Sequence, residues 1–140
     1  MALFVQKFGG TSVASVEHIE NVARGVMAAR HVGHDVVVVV SAMGDSTDRL
    51  VALAEEVDYQ DVAARREMDV LLSTGEQVTT ALLSMILMKN GCPAESYTGR
   101  QAGIQTDAEY AKARILDIDT TVLKARLNDG IVPVVAGFQG

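Results

Sequence analysis

At 140 residues, with 49% apolar and 21% charged side chains, the chain has the composition of one globular domain with its own core. A net charge of -6 excludes a basic face of the kind nucleic acid requires, and no run approaches the ~18 apolar residues of a membrane span. The start MALFVQK lacks the basic opening and small-residue cleavage site of a signal peptide. Cys92 is the single cysteine, so it has no internal disulfide partner. These features predict an acidic, soluble domain of a reducing cytoplasm, with no nucleic-acid or membrane partner.

In chain order, residues 3–8 (LFVQKF) read as a short strand. Residues 15–32 read as a helix, with Val16, Ile19, Val22, Ala23, Val26 and Met27 at helical spacing, Ser15 able to cap its start and Gly33 able to end it. DVVVVVSA (35–42) is an unbroken β-branched run, the pattern of a parallel strand buried on both faces. A polar loop, MGDSTD, leads to a second short helix near 48–57. Residues 61–90 carry a long helical pattern interrupted by Ser73, Thr74 and Gly75. Mid-helix glycine costs on the order of 1 kcal/mol relative to alanine, so either a break or a close functional approach is expected there. AESYT (94–98) is a predicted strand, 119–128 a helix and 131–138 another apolar strand, in which Pro133 is unusual for a central position. Charged residues at 109–129 read as a solvated helix surface. Strands alternating with helices predict an α/β fold: a three-layer α/β/α sandwich around a mainly parallel sheet.

Four stretches carry candidate chemistry. KFGGTS (7–12) joins a strand to a helix through two glycines, which let backbone N–H groups face a ligand, beside the charge of Lys7. It matches neither standard phosphate-loop motif, and a plain tight turn with a surface lysine fits it too. VVSAMGDSTD (39–48) repeats the architecture, although Ser46 or Thr47 could simply cap the next helix. In STGE (73–76), a carboxylate beside glycine in an apolar helix is costly to bury unpaired, so Glu76 calls for a cationic partner such as a ligand ammonium. TGRQAGIQT (98–106), with Arg100 and Gln101, is a glycine-punctuated loop able to wall the same crevice. Lys7, Gly10, Ser41, Thr47 and Glu76 are expected to converge on one crevice at the C-terminal end of the strands, where ligands of open α/β sheets gather, with Lys7 and Glu76 on the same face. His18, His31 and His34 have no acidic or cysteine cluster around them, so no metal site is predicted and an exposed helix face is expected.

Together and in order, KFGGTSV, VVSAMGDSTD, STGE, the GRQAGIQT loop and VVAGFQG closely resemble the aspartate kinases of the amino acid kinase superfamily. The resemblance spans essentially the whole chain. It implies ATP- and Mg²⁺-dependent phosphorylation of the side-chain carboxylate of L-aspartate to 4-phospho-L-aspartate, the committed step toward lysine, threonine, methionine and diaminopimelate. By position, it places Lys7, Phe8, Gly9, Gly10, Thr11 and Ser12 at the nucleotide phosphates, with Lys7 stabilising the transferring phosphoryl group. Ser41 and Thr47 would hold aspartate, and Glu76 its α-ammonium. In that family a segment after GFQG adds an arginine clamp, followed by the nucleotide lobe and regulatory ACT domains. The resemblance therefore implies that residues 1–140 are the N-terminal, aspartate-binding portion of the catalytic domain, inactive alone, from a homo- or hetero-oligomeric enzyme. Another acyl-phosphate-forming member, such as a glutamate or carbamate kinase, and a non-catalytic anion-binding fragment are the alternatives.

Overall fold

The computed structural model describes residues 2–59, 61–109 and 114–137. Strand β1 (Leu3–Phe8) leads through a one-turn 3₁₀ helix (Gly10–Val13) into helix α1 (Val16–His31). Strand β2 (Asp35–Val40), helix α2 (Ser46–Val57), a second 3₁₀ turn at Val62–Ala64 and the long helix α3 (Arg65–Lys89) follow. Strand β3 (Ala94–Tyr97), the short strands β4 (Ile104–Thr106) and β5 (Ile115–Ile118), helix α4 (Thr121–Asn128) and strand β6 (Val132–Ala136) complete the described chain.

The main sheet has the order β1-β2-β6-β3, and every pairing in it is parallel. One face is covered by α1 and α3. There Val36, Val38, Val40, Val132 and Val134 from the strands meet Ile19, Val22, Val26, Leu83 and Leu87 from the helices. On the other face, Val37 and Val135 meet Tyr97 and Ala102, with Leu123 and Leu127 of α4 packed against them. Helices thus lie on both faces of one parallel sheet, the three-layer α/β/α arrangement predicted from the strand–helix alternation. β2 alternates between the two clusters, which is why its sequence carries no polar alternation.

Four local expectations change. The interrupted pattern at 61–90 forms a continuous α3 with no break. Ser73 Oγ donates to the Val70 carbonyl (2.7 Å) and Thr74 Oγ1 to that of Leu71 (2.7 Å), so the helix absorbs both hydroxyls. The helical stretch Val62–Lys89 is long and apolar enough to span a bilayer by length and composition, and a third of its apolar window is buried; Leu83 and Leu87 lie wholly buried against the sheet, whereas Val78, Met85 and Met88 are exposed. The span 109–129 is not one helix surface. Residues 115–118 form β5, paired antiparallel with β4 in a separate two-stranded ribbon, and residues 110–113 lie outside the described residues. Pro133 is buried in β6, which is indeed a central strand. The Val132 N–H faces β3, donating to the Pro93 carbonyl (2.8 Å). By strand alternation the missing N–H of Pro133 faces β2, whose ladder with β6 begins only at Val38–Val134. Finally, His34 is not merely solvated, because its ring meets Phe4 edge-on at 4.7 Å and accepts from the Ala2 N–H (3.1 Å).

Candidate active site

The C-terminal ends of β1, β2 and β6 are tied together by backbone hydrogen bonds. The Ser41 N–H donates to the Phe8 carbonyl (3.1 Å), the Gly44 N–H to that of Gly10 (3.0 Å) and the Gly137 N–H to that of Val40 (2.9 Å). The two glycine loops therefore lie against each other rather than merely near each other. Gly10 makes the approach possible: a Cβ there would sit 3.2 Å from both the Ala42 and the Gly44 carbonyl oxygens. Gly9 is the opposite case, with nothing within 4 Å of where its Cβ would be, so its side of the loop is open to a ligand.

The chain does not pass directly from this loop into α1. The Ser12 N–H returns to the Gly9 carbonyl (3.0 Å) to close the 3₁₀ turn, which buried Val13 anchors in the core. α1 starts later and is capped by Ser15, whose Oγ accepts from the His18 N–H (3.2 Å) and lies 2.6 Å from His18 Nδ1. Thr11 and Ser12 are exposed on the turn, whereas Phe8 packs against the core and anchors the loop. Thr47 is exposed in the first turn of α2. That helix has Asp45 at its cap position and no side-chain cap, so capping is not the role of Ser46 or Thr47. Ser41 is half-buried directly after β2.

Lys7 and Glu76 lie on opposite faces of the sheet, so the structure does not bring these two together in one crevice as expected. Lys7 pairs with Val39 and so shares the face on which α4 packs. Its side chain is exposed, and among the described residues no carboxylate forms an ion pair with it. Glu76 lies two turns from buried Asp69 on one side and buried Leu83 on the other, and therefore on the sheet-facing side of α3. The 25 residues of α3 extend about 37 Å, against about 20 Å for a six-residue strand. Leu83 and Leu87 pack on the strands, and the N-terminal half of α3 overhangs the strand ends. There Gly75 touches the β2–α2 loop, where a Cβ at position 75 would be 3.0 Å from Ala42 Cβ. Gly10, Ser41 to Gly44 and Gly75 are thus brought into contact, with Glu76 as the next residue along.

A groove of about 850 Å³ lies beside this edge, between α3 and the 98–108 loop. Ser73 and Gln77 line it from the helix, and Arg100, Gln101 and Asp119 from the other side. The GRQAGIQT loop is therefore a wall, but of a groove whose lining includes none of Lys7, Gly10, Ser41, Thr47 and Glu76. Gln101 holds the loop closed on itself, since its Oε1 accepts from the Thr98 N–H (2.9 Å) and its own N–H donates to Thr98 Oγ1 (3.2 Å). The Asp119 carboxylate is engaged by the Thr121 hydroxyl (2.6 Å) and N–H (3.0 Å), which hold its pKa below the usual range. Ala42 is the participant that sequence reasoning missed; a small apolar residue after a valine run carries no signal of such a contact.

Cys92 lies in the core, where burial pushes its thiol up against a smaller opposing pull from Arg30. It packs as a small apolar residue. Among the described residues no group of three or more His, Cys, Asp or Glu side chains could hold a metal ion.

Residues 2–140 match the model of the amino acid kinase family. The chain belongs to that family. Aspartokinase 2 of Bacillus subtilis is 59% identical over all 140 residues, which correspond to 34% of its length. The crystal structure of aspartate kinase from Synechocystis superposes with a TM-score of 0.76 at 48% identity, covering 97% of this chain and 22% of that one. Aspartokinase III of E. coli, in a structure described as a complex with aspartate and ADP, shares the fold with a TM-score of 0.77 at 24% identity, covering 99% of this chain and 41% of that one. The chain thus spans about a third of the length of the curated relative it matches.

Proposed function

We propose that residues 1–140 form the acceptor-binding N-terminal part of an aspartate kinase, and that the full-length enzyme phosphorylates the side-chain carboxylate of L-aspartate with ATP. The observation that supports this reading is the contact of Gly10, Ala42–Gly44 and Gly75 at the strand ends, which joins the first glycine loop, the β2–α2 loop and the helix that carries Glu76. Its similarity to aspartokinases along its whole length supports the choice of acceptor.

A carboxylate with a pKa of roughly 3.9 is ionised at neutral pH and needs no general base. One of its oxygens attacks the γ-phosphorus, the bond to the β,γ-bridging oxygen breaks, and ADP leaves with that electron pair. What the protein supplies is position and charge. Glu76 pairs with the α-ammonium, while Ser41 and Thr47 hold the rest of aspartate. Lys7 compensates the charge spreading over the transferring oxygens. The open side of Gly9, with Gly10, Thr11 and Ser12, offers a surface for the phosphates, and Phe8 holds the loop to the core. Mg²⁺ would arrive on the nucleotide and would supply charge neutralisation of its phosphates, since among the described residues no cluster of His, Cys, Asp or Glu would hold it alone. Cytoplasmic location and assembly as a homo- or hetero-oligomer belong to the same proposal.

Hydroxylamine trapping of the acyl phosphate tests it. The full-length enzyme should give aspartyl hydroxamate only with both ATP and L-aspartate, and residues 1–140 alone should give negligible turnover. Hydroxamate from glutamate or carbamate but not from aspartate would reassign the acceptor. Turnover by the 140-residue chain alone would refute its role as one part of the site.

A further inference from the structure

We propose that Gly75 is a positioning residue for the acceptor: its missing side chain lets α3 lie against Ala42, and that contact sets how far Glu76 reaches toward aspartate. The inference rests on the aspartate kinase reading and adds a residue that acts through Glu76.

Gly75 is not needed for backbone conformation. It sits inside a continuous α-helix and is absent from the glycines with positive φ. Its neighbours Ser73 and Thr74 are absorbed by the helix, so nothing local asks for glycine either. Space is what it provides. Gly75 is buried, and a Cβ there would lie 3.0 Å from Ala42 Cβ and 3.3 Å from Leu50 Cδ1, whereas carbon atoms pack best at about 3.5–4.0 Å. The Leu50 methyl is the end of a flexible side chain and can give way. Ala42 cannot. Its methyl is part of a buried residue, and its carbonyl oxygen already faces Gly10 at 3.2 Å from that residue's Cβ position. A methyl at position 75 would therefore push α3, not the loop. Glu76 is the next residue and would move with the helix backbone. The phosphate loop, the β2–α2 loop and α3 are in this way spaced by one alanine held between two glycines.

The test is a double-mutant cycle in the full-length enzyme: wild type, Gly75→Ala, Ala42→Gly, and both together. KM and kcat are measured for L-aspartate and for ATP, along with the melting temperature. Gly75→Ala should raise KM for aspartate about threefold to tenfold, since α3 must give by a few tenths of an ångström where a displacement of about 1 Å costs up to ~10²-fold, and should leave KM for ATP within about twofold. Adding Ala42→Gly removes the methyl that the new one meets and should restore most of the loss. Should Gly75→Ala alone fail to fold, a double variant that folds with near-wild-type KM for aspartate supports the same coupling. The inference is overturned by an unchanged aspartate KM in Gly75→Ala, by equal losses for both substrates, or by a loss that Ala42→Gly does not relieve. Wild-type enzyme silent with aspartate would overturn the kinase reading itself, and this inference with it.

Discussion

The two faces of the sheet are built differently. α1 and α3 bury the Val36, Val38 and Val40 side of β2 under Ile19, Val26, Leu83 and Leu87, all nearly or wholly inaccessible. The Val37 and Val39 side is met by one eight-residue helix, α4, and by Tyr97 and Ala102. At the edge strand this second face leaves Leu3 and Val5 more than half exposed. Tyr97 is held there by a polar contact as well as by packing, since Arg126 Nε donates to its hydroxyl (3.1 Å). The candidate chemistry divides along the same line. Glu76 rides on the helix of the thick face, one residue beyond the contact of Gly75 with Ala42. Lys7 emerges on the thin face, where its side chain is exposed. Under the proposed function, Glu76 would position the acceptor from one face and Lys7 would compensate charge from the other, the two contributions that phosphoryl transfer needs.

Breaking the thick face should have the largest effect. Leu83→Ala empties a wholly buried site in the main core and should cost about 2–5 kcal/mol in urea unfolding. Lys7→Ala should leave stability nearly unchanged, because the side chain is exposed. In the full-length enzyme it should lower kcat by about 10²–10³-fold while shifting KM for aspartate little, as expected of charge needed mainly in the transition state. A variant with normal kcat and raised KM would make Lys7 a binding residue. The smallest effect is expected from Leu123→Ala on the thin face. That side chain is only half-buried, and about 1 kcal/mol should be lost. Equal losses from Leu83→Ala and Leu123→Ala would erase the contrast between the faces.

Much of the architecture is legible in the sequence because burial imposes period. The β-branched run at 35–40 and the spacing of Ile19, Val22 and Val26 each mark one element and its buried side. β4 and β5 leave no such mark: they are three and four residues long, largely exposed, and paired only with each other. The run at 73–75 is ambiguous in sequence because Ser, Thr and Gly signal a helix end as readily as a close approach. Contact with Ala42 decides it, and that contact joins residues far apart in the chain. The glycine loops were legible as motifs. Which side of the sheet each functional group approaches from was not, because that follows from the β1–β2 register and from the length of α3 beyond the strands.

The central claim is that the α3 carboxylate at the strand ends holds the acceptor. Steady-state kinetics of Glu76→Gln in the full-length enzyme test it most directly, since the substitution keeps the shape and removes the charge. A hydrogen bond to a charged group is worth about 1.5–3 kcal/mol. KM for L-aspartate should therefore rise about tenfold to a hundredfold, while KM for ATP stays within about twofold. An unchanged KM for aspartate, or a rise confined to ATP, would contradict the account.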